Sequence, residues 1–307
     1  MQDLNNNDIT SHLVRELLKE KRADRWWKTV RSLAWLAFFT FVFFKVFSMT
    51  SGKSLTDTVK PGKYVALVRL DGMIAPGREF SAETVVPILR SAFEDKNAAG
   101  VIIDINSPGG TPVQASIIHD AILAYKKRYK KRVIVVGEDL LTSGAYYVAV
   151  SADSIYVNPN TLTGSIGVIM KGFGFVDFIK KIGVERRVYV DGDQKDRLDP
   201  FLPQTPDDLK KIHQVMGEVH ENFAAAVLEG RKGRLHADSA TLFTGDFWSG
   251  QSALKLGLVD GVGNLMDVSE KEFKTTRFKQ YGDSNNFLKM LSGQLTSAFD
   301  AMVYVYS

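Results

Sequence analysis

Two short segments carry the groups best suited to chemistry: Asn106-Ser107-Pro108-Gly109-Gly110 and Thr142-Ser143-Gly144-Ala145. Each follows a β-branched apolar run, Val101-Ile102-Ile103-Asp104-Ile105 and Val133-Ile134-Val135-Val136, of the kind that forms buried parallel strands. The expected order is therefore strand, glycine-rich turn, helix, strand, serine-bearing turn, helix. A helix N-terminus offers backbone N–H groups without intrahelical partners and a positive dipole end. Glycines in the turn let those groups approach a developing oxyanion. Ser143 at the mouth of such a helix suits acyl transfer at a serine nucleophile. Taken alone, Ser143 also suits a plain helix N-cap, and Ser165 a turn.

A serine nucleophile needs a base. The five histidines are His12, His119, His213, His220 and His236, and none falls in a loop beside an acidic partner, so lysine is the alternative. The chain has no cysteine, which excludes disulfides, zinc–thiolate sites and a cysteine nucleophile. Its net charge of +4 is spread along the sequence, without a basic stripe or stacking motif that would fit nucleic acid.

Around these segments the pattern predicts a strand at Tyr64–Leu70 and a helix over 82–95 with Ser81 as N-cap. A strand at 101–105, a helix over 112–130, a strand at 132–137 and a helix over 144–152 follow. Strands are expected at 154–157, about 166–170 and Glu185–Val190, with a helical stretch at 174–182 between the last two. Asp191–Gln204 reads as a loop, Pro206–Leu228 as a long amphipathic helix, 249–257 as a short helix, and the tail from about 268 as helical. Near the N-terminus, Val30–Met49 is apolar over roughly the length that crosses a bilayer. Trp26 and Trp27 stand at an interface position, and the excess of Lys and Arg before the span orients the N-terminus to the cytoplasm. A cleaved signal peptide fits less well, because the stretch starts late and lacks a small-residue cleavage site. The expected organisation is a cytoplasmic tail (1–29), a transmembrane anchor (30–49), a linker (50–62), a catalytic domain (63–270) and a C-terminal helical extension (271–307) suited to subunit contact.

Four landmarks in order, the turn at 106–110, Thr142–Tyr147, Thr163–Val168 and the Gly192–Asp199 loop, make the chain resemble the signal peptide peptidase A family of membrane-anchored bacterial serine peptidases, over roughly residues 63–270. The resemblance implies an α/β fold, the caseinolytic protease/crotonase-like spiral of ββα units. It implies Ser143 as nucleophile, Lys195 as general base and Ser165 as the hydroxyl that orients the lysine, with the Gly109 and Gly144 N–H groups forming the oxyanion hole. No metal or other cofactor is implied. The implied substrates are remnant signal peptides and other extended apolar peptides, and the implied assembly is a homo-oligomer, an octamer for this short form. The implied location is the bacterial inner membrane, with the catalytic domain extracytoplasmic. Ala145 stands where the family often has glycine. To act as a base Lys195 must be neutral, which calls for an apolar pocket, so Asp193 and Asp196 are expected to point away from its amine. A crotonase-like acyl-transfer enzyme and a catalytically inactive membrane scaffold are the competing readings.

Overall fold

The computed structural model describes residues 26–27, 29–42 and 64–282. Residues 29–42 are helical, and Trp35, Phe38 and Phe39 on that helix are exposed and in mutual ring contact. Among the described residues no helix is both long and apolar enough to cross a membrane. The expected span 30–49 continues past Val42, out of the described residues, and residues 1–25 of the expected tail, the linker 50–62 and residues 283–307 of the expected C-terminal extension lie outside them.

From Tyr64 the chain alternates strand and helix. β1 (Tyr64–Asp71), α1 (Ala82–Glu94), β2 (Ala98–Ser107), α2 (Pro112–Tyr129), β3 (Val133–Thr142) and α3 (Gly144–Ala149) come first. β4 (Ser154–Val157), β5 (Leu162–Gly164), α4 (Val176–Lys181) and α5 (Pro206–Gly230) follow. Last come α6 (Ser239–Leu242), β6 (Phe247–Ser249), α7 (Gly250–Leu256), β7 (Gly261–Val262), α8 (Leu265–Phe273) and β8 (Phe278–Tyr281). The eight strands form one mixed sheet ordered β6-β5-β3-β2-β1-β8, with β4 beside β3 and β7 beside β4. Every pairing is parallel except β5 with β6.

Strand alternation sorts the apolar residues into two layers. Val68, Leu70, Ile103, Ile105, Val133 and Val135 face the main core with Leu89, Ile118 and Tyr146. Val65, Leu67, Ile102, Ile134 and Val136 face a smaller layer closed by Val268 and Phe273 of α8. Helix starts follow local chemistry: the Ser81 hydroxyl accepts the Thr84 N–H, and Thr205 with Asp208 forms a reciprocal capping box ahead of Pro206.

Three expected elements differ. The strand placed near 166–170 is instead Leu162–Gly164, because Gly164 and Ser165 take positive φ (95° and 51°) and end the extended run. Glu185–Val190 forms no strand: no neighbouring edge pairs with it, and Arg186 reaches Asp199 instead. After Phe273 the chain turns extended rather than continuing as helix, and Phe278–Tyr281 lies along β1. Asp95 holds that edge by accepting from Tyr64, Tyr281 and Lys279.

Candidate active site

β3 aims the serine. Its central residues Ile134–Gly137 pair with β4, but its last residues Leu140–Thr142 pair with β5, so the strand bends between the two partners. The chain then turns at Ser143 and enters α3. Ser143 has φ 53° and ψ −125°, and its N–H donates to Gly164 O at 2.8 Å. A non-glycine residue held there costs about 1–3 kcal/mol. This strained strand-to-helix turn is the geometry that lifts a serine hydroxyl clear of its surroundings. The Ser143 side chain caps nothing, which removes the N-cap reading, and it is half-buried.

The glycine turn lies directly against this elbow. A Cβ built on Gly109 would fall 2.7 Å from Gly144 N and 2.7 Å from Ser143 Cβ. Ile74 clamps the turn, its N–H donating to Gly109 O and its O accepting from Thr111 N–H, both at 2.9 Å. The Gly109 N–H, assigned to the oxyanion hole by the resemblance, donates to the buried Ser107 Oγ at 3.1 Å. Among the described residues the Gly110 N–H carries no such bond, and it sits beside Gly144: a Cβ on Gly144 would fall 3.2 Å from Gly110 N. Gly144 opens α3, so its N–H lacks an intrahelical acceptor. The free pair of donors is therefore Gly110 and Gly144. The Asn-Ser-Pro-Gly-Gly spacing marks the turn but does not tell its two glycines apart; the hydrogen bond from Gly109 N–H to Ser107 Oγ does.

Ser165 arrives by register. Thr142 pairs with Gly164, which places Ser165 immediately beyond Ser143's acceptor. Its N–H donates to Asp246 O at 2.7 Å. Trp248 covers Gly164 so closely that a Cβ there would meet the indole at 2.5 Å. Lys195 is not brought in. It lies exposed in the 191–199 turn, its N–H donating to Gly192 O at 3.1 Å, and its amine makes no hydrogen bond or ion pair among the described residues. Neither Asp193 nor Asp196 pairs with it. Among the described residues nothing forms around its amine the apolar pocket that a neutral lysine needs. The surrounding segment exposes Ile169, Phe173 (82%), Phe178 and Tyr189 (90%). His119 packs edge-on to Tyr147 and meets Asp120 at 2.8 Å, without a bond to Ser143.

Comparison with known proteins fits this geometry. Residues 125–278 match the model of peptidase family S49. The chain is 41% identical over 214 residues to a Brucella melitensis protein named Na(+)/H(+) antiporter NhaA, covering 68% of this chain and 29% of that one. It is 28% identical over 240 residues to a putative signal peptide peptidase SppA of Enterococcus faecium, covering 74% of this chain and 69% of the relative. A solved structure of a ClpP1 mutant from Listeria monocytogenes superposes with TM-score 0.42 at 19% identity, over 66% of this chain and 92% of that one. The chain thus spans less than a third of the Brucella sequence it matches. The family match and the peptidase relative define its class as that of the serine peptidases. The chain belongs to peptidase family S49, as a member of the signal peptide peptidase A family.

Proposed function

We propose that this chain is a membrane-anchored serine endopeptidase that cleaves remnant signal peptides and other extended apolar peptides at the membrane. Ser143 is the nucleophile and Lys195 the general base, with Ser165 orienting the lysine. The observation that carries the reading is the elbow: a serine in strained backbone whose neighbouring N–H groups, Gly144 and Gly110, have no other acceptor among the described residues. Neutral Lys195 takes the Ser143 proton as Oγ attacks the peptide carbonyl. The two N–H groups hold the oxyanion, the lysine ammonium protonates the leaving amine, and water hydrolyses the acyl-enzyme. No metal or organic cofactor enters. The domain is read as the caseinolytic protease/crotonase-like spiral of ββα units, a reading supported by the parallel strand–helix order and the forked β3.

The exposure of Lys195 and of the apolar residues around it supports a homo-oligomer in which a neighbouring copy covers this face, secludes the site and desolvates the amine. The family resemblance points to an octamer. The exposed aromatics of residues 29–42, with Trp26 and Trp27, support the anchor in the inner membrane and an extracytoplasmic catalytic domain. The test is cleavage of an apolar signal-like peptide by the detergent-solubilised chain, with Ser143→Ala and Lys195→Ala alone and mixed. Both variants lose cleavage if the dyad is correct, and mixing them restores part of it if the lysine serves a neighbouring copy. Full activity in Lys195→Ala removes lysine as the base. No cleavage by the parent moves the weight to a non-catalytic scaffold.

A further inference from the structure

Asp104 is a carboxylate sealed within the sheet. The residue is 3% exposed, and among the described residues neither carboxylate oxygen receives a hydrogen bond. Three groups face it: Arg69 and Asp71 from β1 and Glu138 from β3. The Arg69 guanidinium lies 3.5 Å from Asp104 and 3.8 Å from Glu138. It already stands where a bound cation would, so the cluster does not read as a metal site. One half-exposed guanidinium shared by two close carboxylates, with a third nearby, does not keep both ionised cheaply. Burial first, then the Glu138 charge, pushes the Asp104 carboxyl up to about 7, and a protonated Asp104 would have Glu138 as its acceptor.

Glu138 occupies a telling position. It is the first residue after β3 stops pairing with β4, and two residues further on β3 begins pairing with β5. The register against β2 slips at the same place: Ile105 faces Gly137, but Ser107 faces Leu141. The bulge that results is held by Thr161 Oγ1 donating to Glu138 O at 2.5 Å and by Leu140 N–H donating to Asn106 Oδ1 at 3.1 Å. It turns the end of β3, and Ser143 with it, toward the glycine turn.

We propose that Asp104 and Glu138 share one proton, and that this proton pins the bend in β3 that aims Ser143. Its effect on catalysis rests on Ser143 being the nucleophile; the shared proton itself does not. The sign follows from linkage. An opened bend holds the proton only below the ordinary carboxyl value of about 3.9, whereas the closed bend holds it up to about 7. Opening is therefore rarest below about pH 4, rises about tenfold per pH unit between those values, and levels off above about pH 7.

The test is amide hydrogen exchange over residues 136–144 of the full chain between pH 5 and pH 8, corrected for intrinsic rates, in the parent, Asp104→Asn and Glu138→Gln. Either amide supplies a donor that cannot titrate. Protection in the parent is expected to fall about fiftyfold from pH 5 to pH 7, to stay flat in Asp104→Asn, and to fall distinctly less in Glu138→Gln, where burial alone still raises the Asp104 carboxyl. A flat parent, or variants that track it, overturns the proposal. Glu138 is partly exposed, so Glu138→Gln keeps the test decisive if Asp104→Asn does not fold. Peptide cleavage at the same pH values provides the second arm: the ratio of Asp104→Asn to parent activity should rise as pH rises. A sloping exchange profile with a constant ratio overturns the aiming role. Absence of cleavage in all three proteins at every pH refutes the peptidase reading, while the exchange arm still decides the shared proton.

Discussion

Replacing Gly109 by alanine tests the elbow with one atom. The added Cβ would lie 2.7 Å from Gly144 N, 2.7 Å from Ser143 Cβ and 2.8 Å from Thr142 O. Comfortable carbon contacts begin near 3.5 Å, so the turn must retreat by roughly 0.7–0.8 Å. It has nowhere easy to go, because Ile74 clamps it on the other side and the atoms it meets are backbone or fixed to backbone. A φ of 95° adds strain for any L side chain, about 1–3 kcal/mol. Displacements near 1 Å in an active site cost about a hundredfold in rate, so kcat on an apolar peptide should fall about a hundredfold in Gly109→Ala. Gly77→Ala is the control: its φ is 73°, but nothing lies within 4 Å of the new Cβ. It should melt lower by the strain alone and cleave like the parent. Gly109→Ala cleaving within about threefold of Gly77→Ala would refute the assignment of this turn to the reacting centre.

Two further perturbations address strain and charge. Ser143→Gly relieves the positive φ that Ser143→Ala retains, so the glycine variant should be more stable than the alanine variant by about 1–2 kcal/mol in denaturant melts, with both inactive. Asp95 is partly buried, which alone would raise its carboxyl. Hydrogen bonds from Tyr281, Tyr64 and Lys279, with the Asn97 N–H, outweigh that and hold it well below the ordinary carboxylate range. A depressed carboxyl contributes stability above about pH 4 that is lost as pH falls further. Asp95→Asn should therefore lower Tm at neutral pH and flatten the acid limb of Tm against pH.

The two central strands and the serine turn were legible because they obey local rules: β-branched runs for buried parallel strands, glycines where backbone must approach backbone. Helix starts at Ser81, Pro112 and Pro206 were legible for the same reason. What escaped depends on long-range partners. Glu185–Val190 has the composition of a strand but no edge to join, and Phe278–Tyr281 is a strand only because the edge of β1 is open. Lys195 sits exposed in a charged loop, and nothing in its local sequence sets it apart from an ordinary solvated lysine. Asp104 is the lone carboxylate within the apolar run Val101–Ile105, and what it does there depends on Arg69 and Glu138, distant in sequence. The choice between Gly109 and Gly110 hangs on a single bond to Ser107 that spacing does not encode.

Backbone strain gives an argument independent of family. Four non-glycine residues among those described have positive φ: Lys130, Ser143, Ser165 and Lys274. Lys130 and Lys274 end α2 and α8, where a left-handed residue is routine. Ser143 and Ser165 end no helix. They flank a single contact, the 2.8 Å bond from Ser143 N–H to Gly164 O, and each is held from outside: Ser143 by that bond, Ser165 by Asp246 O, and the Gly164 between them by the Trp248 ring. Strain persists only where the surroundings over-determine it, and it collects where chemistry needs a side chain in an unfavourable place. Packing alone would be served better by glycine at both positions. Two serines kept there at a cost, each one residue beyond the same Thr142–Gly164 pair, are what a hydroxyl nucleophile and a hydroxyl that orients its base would require.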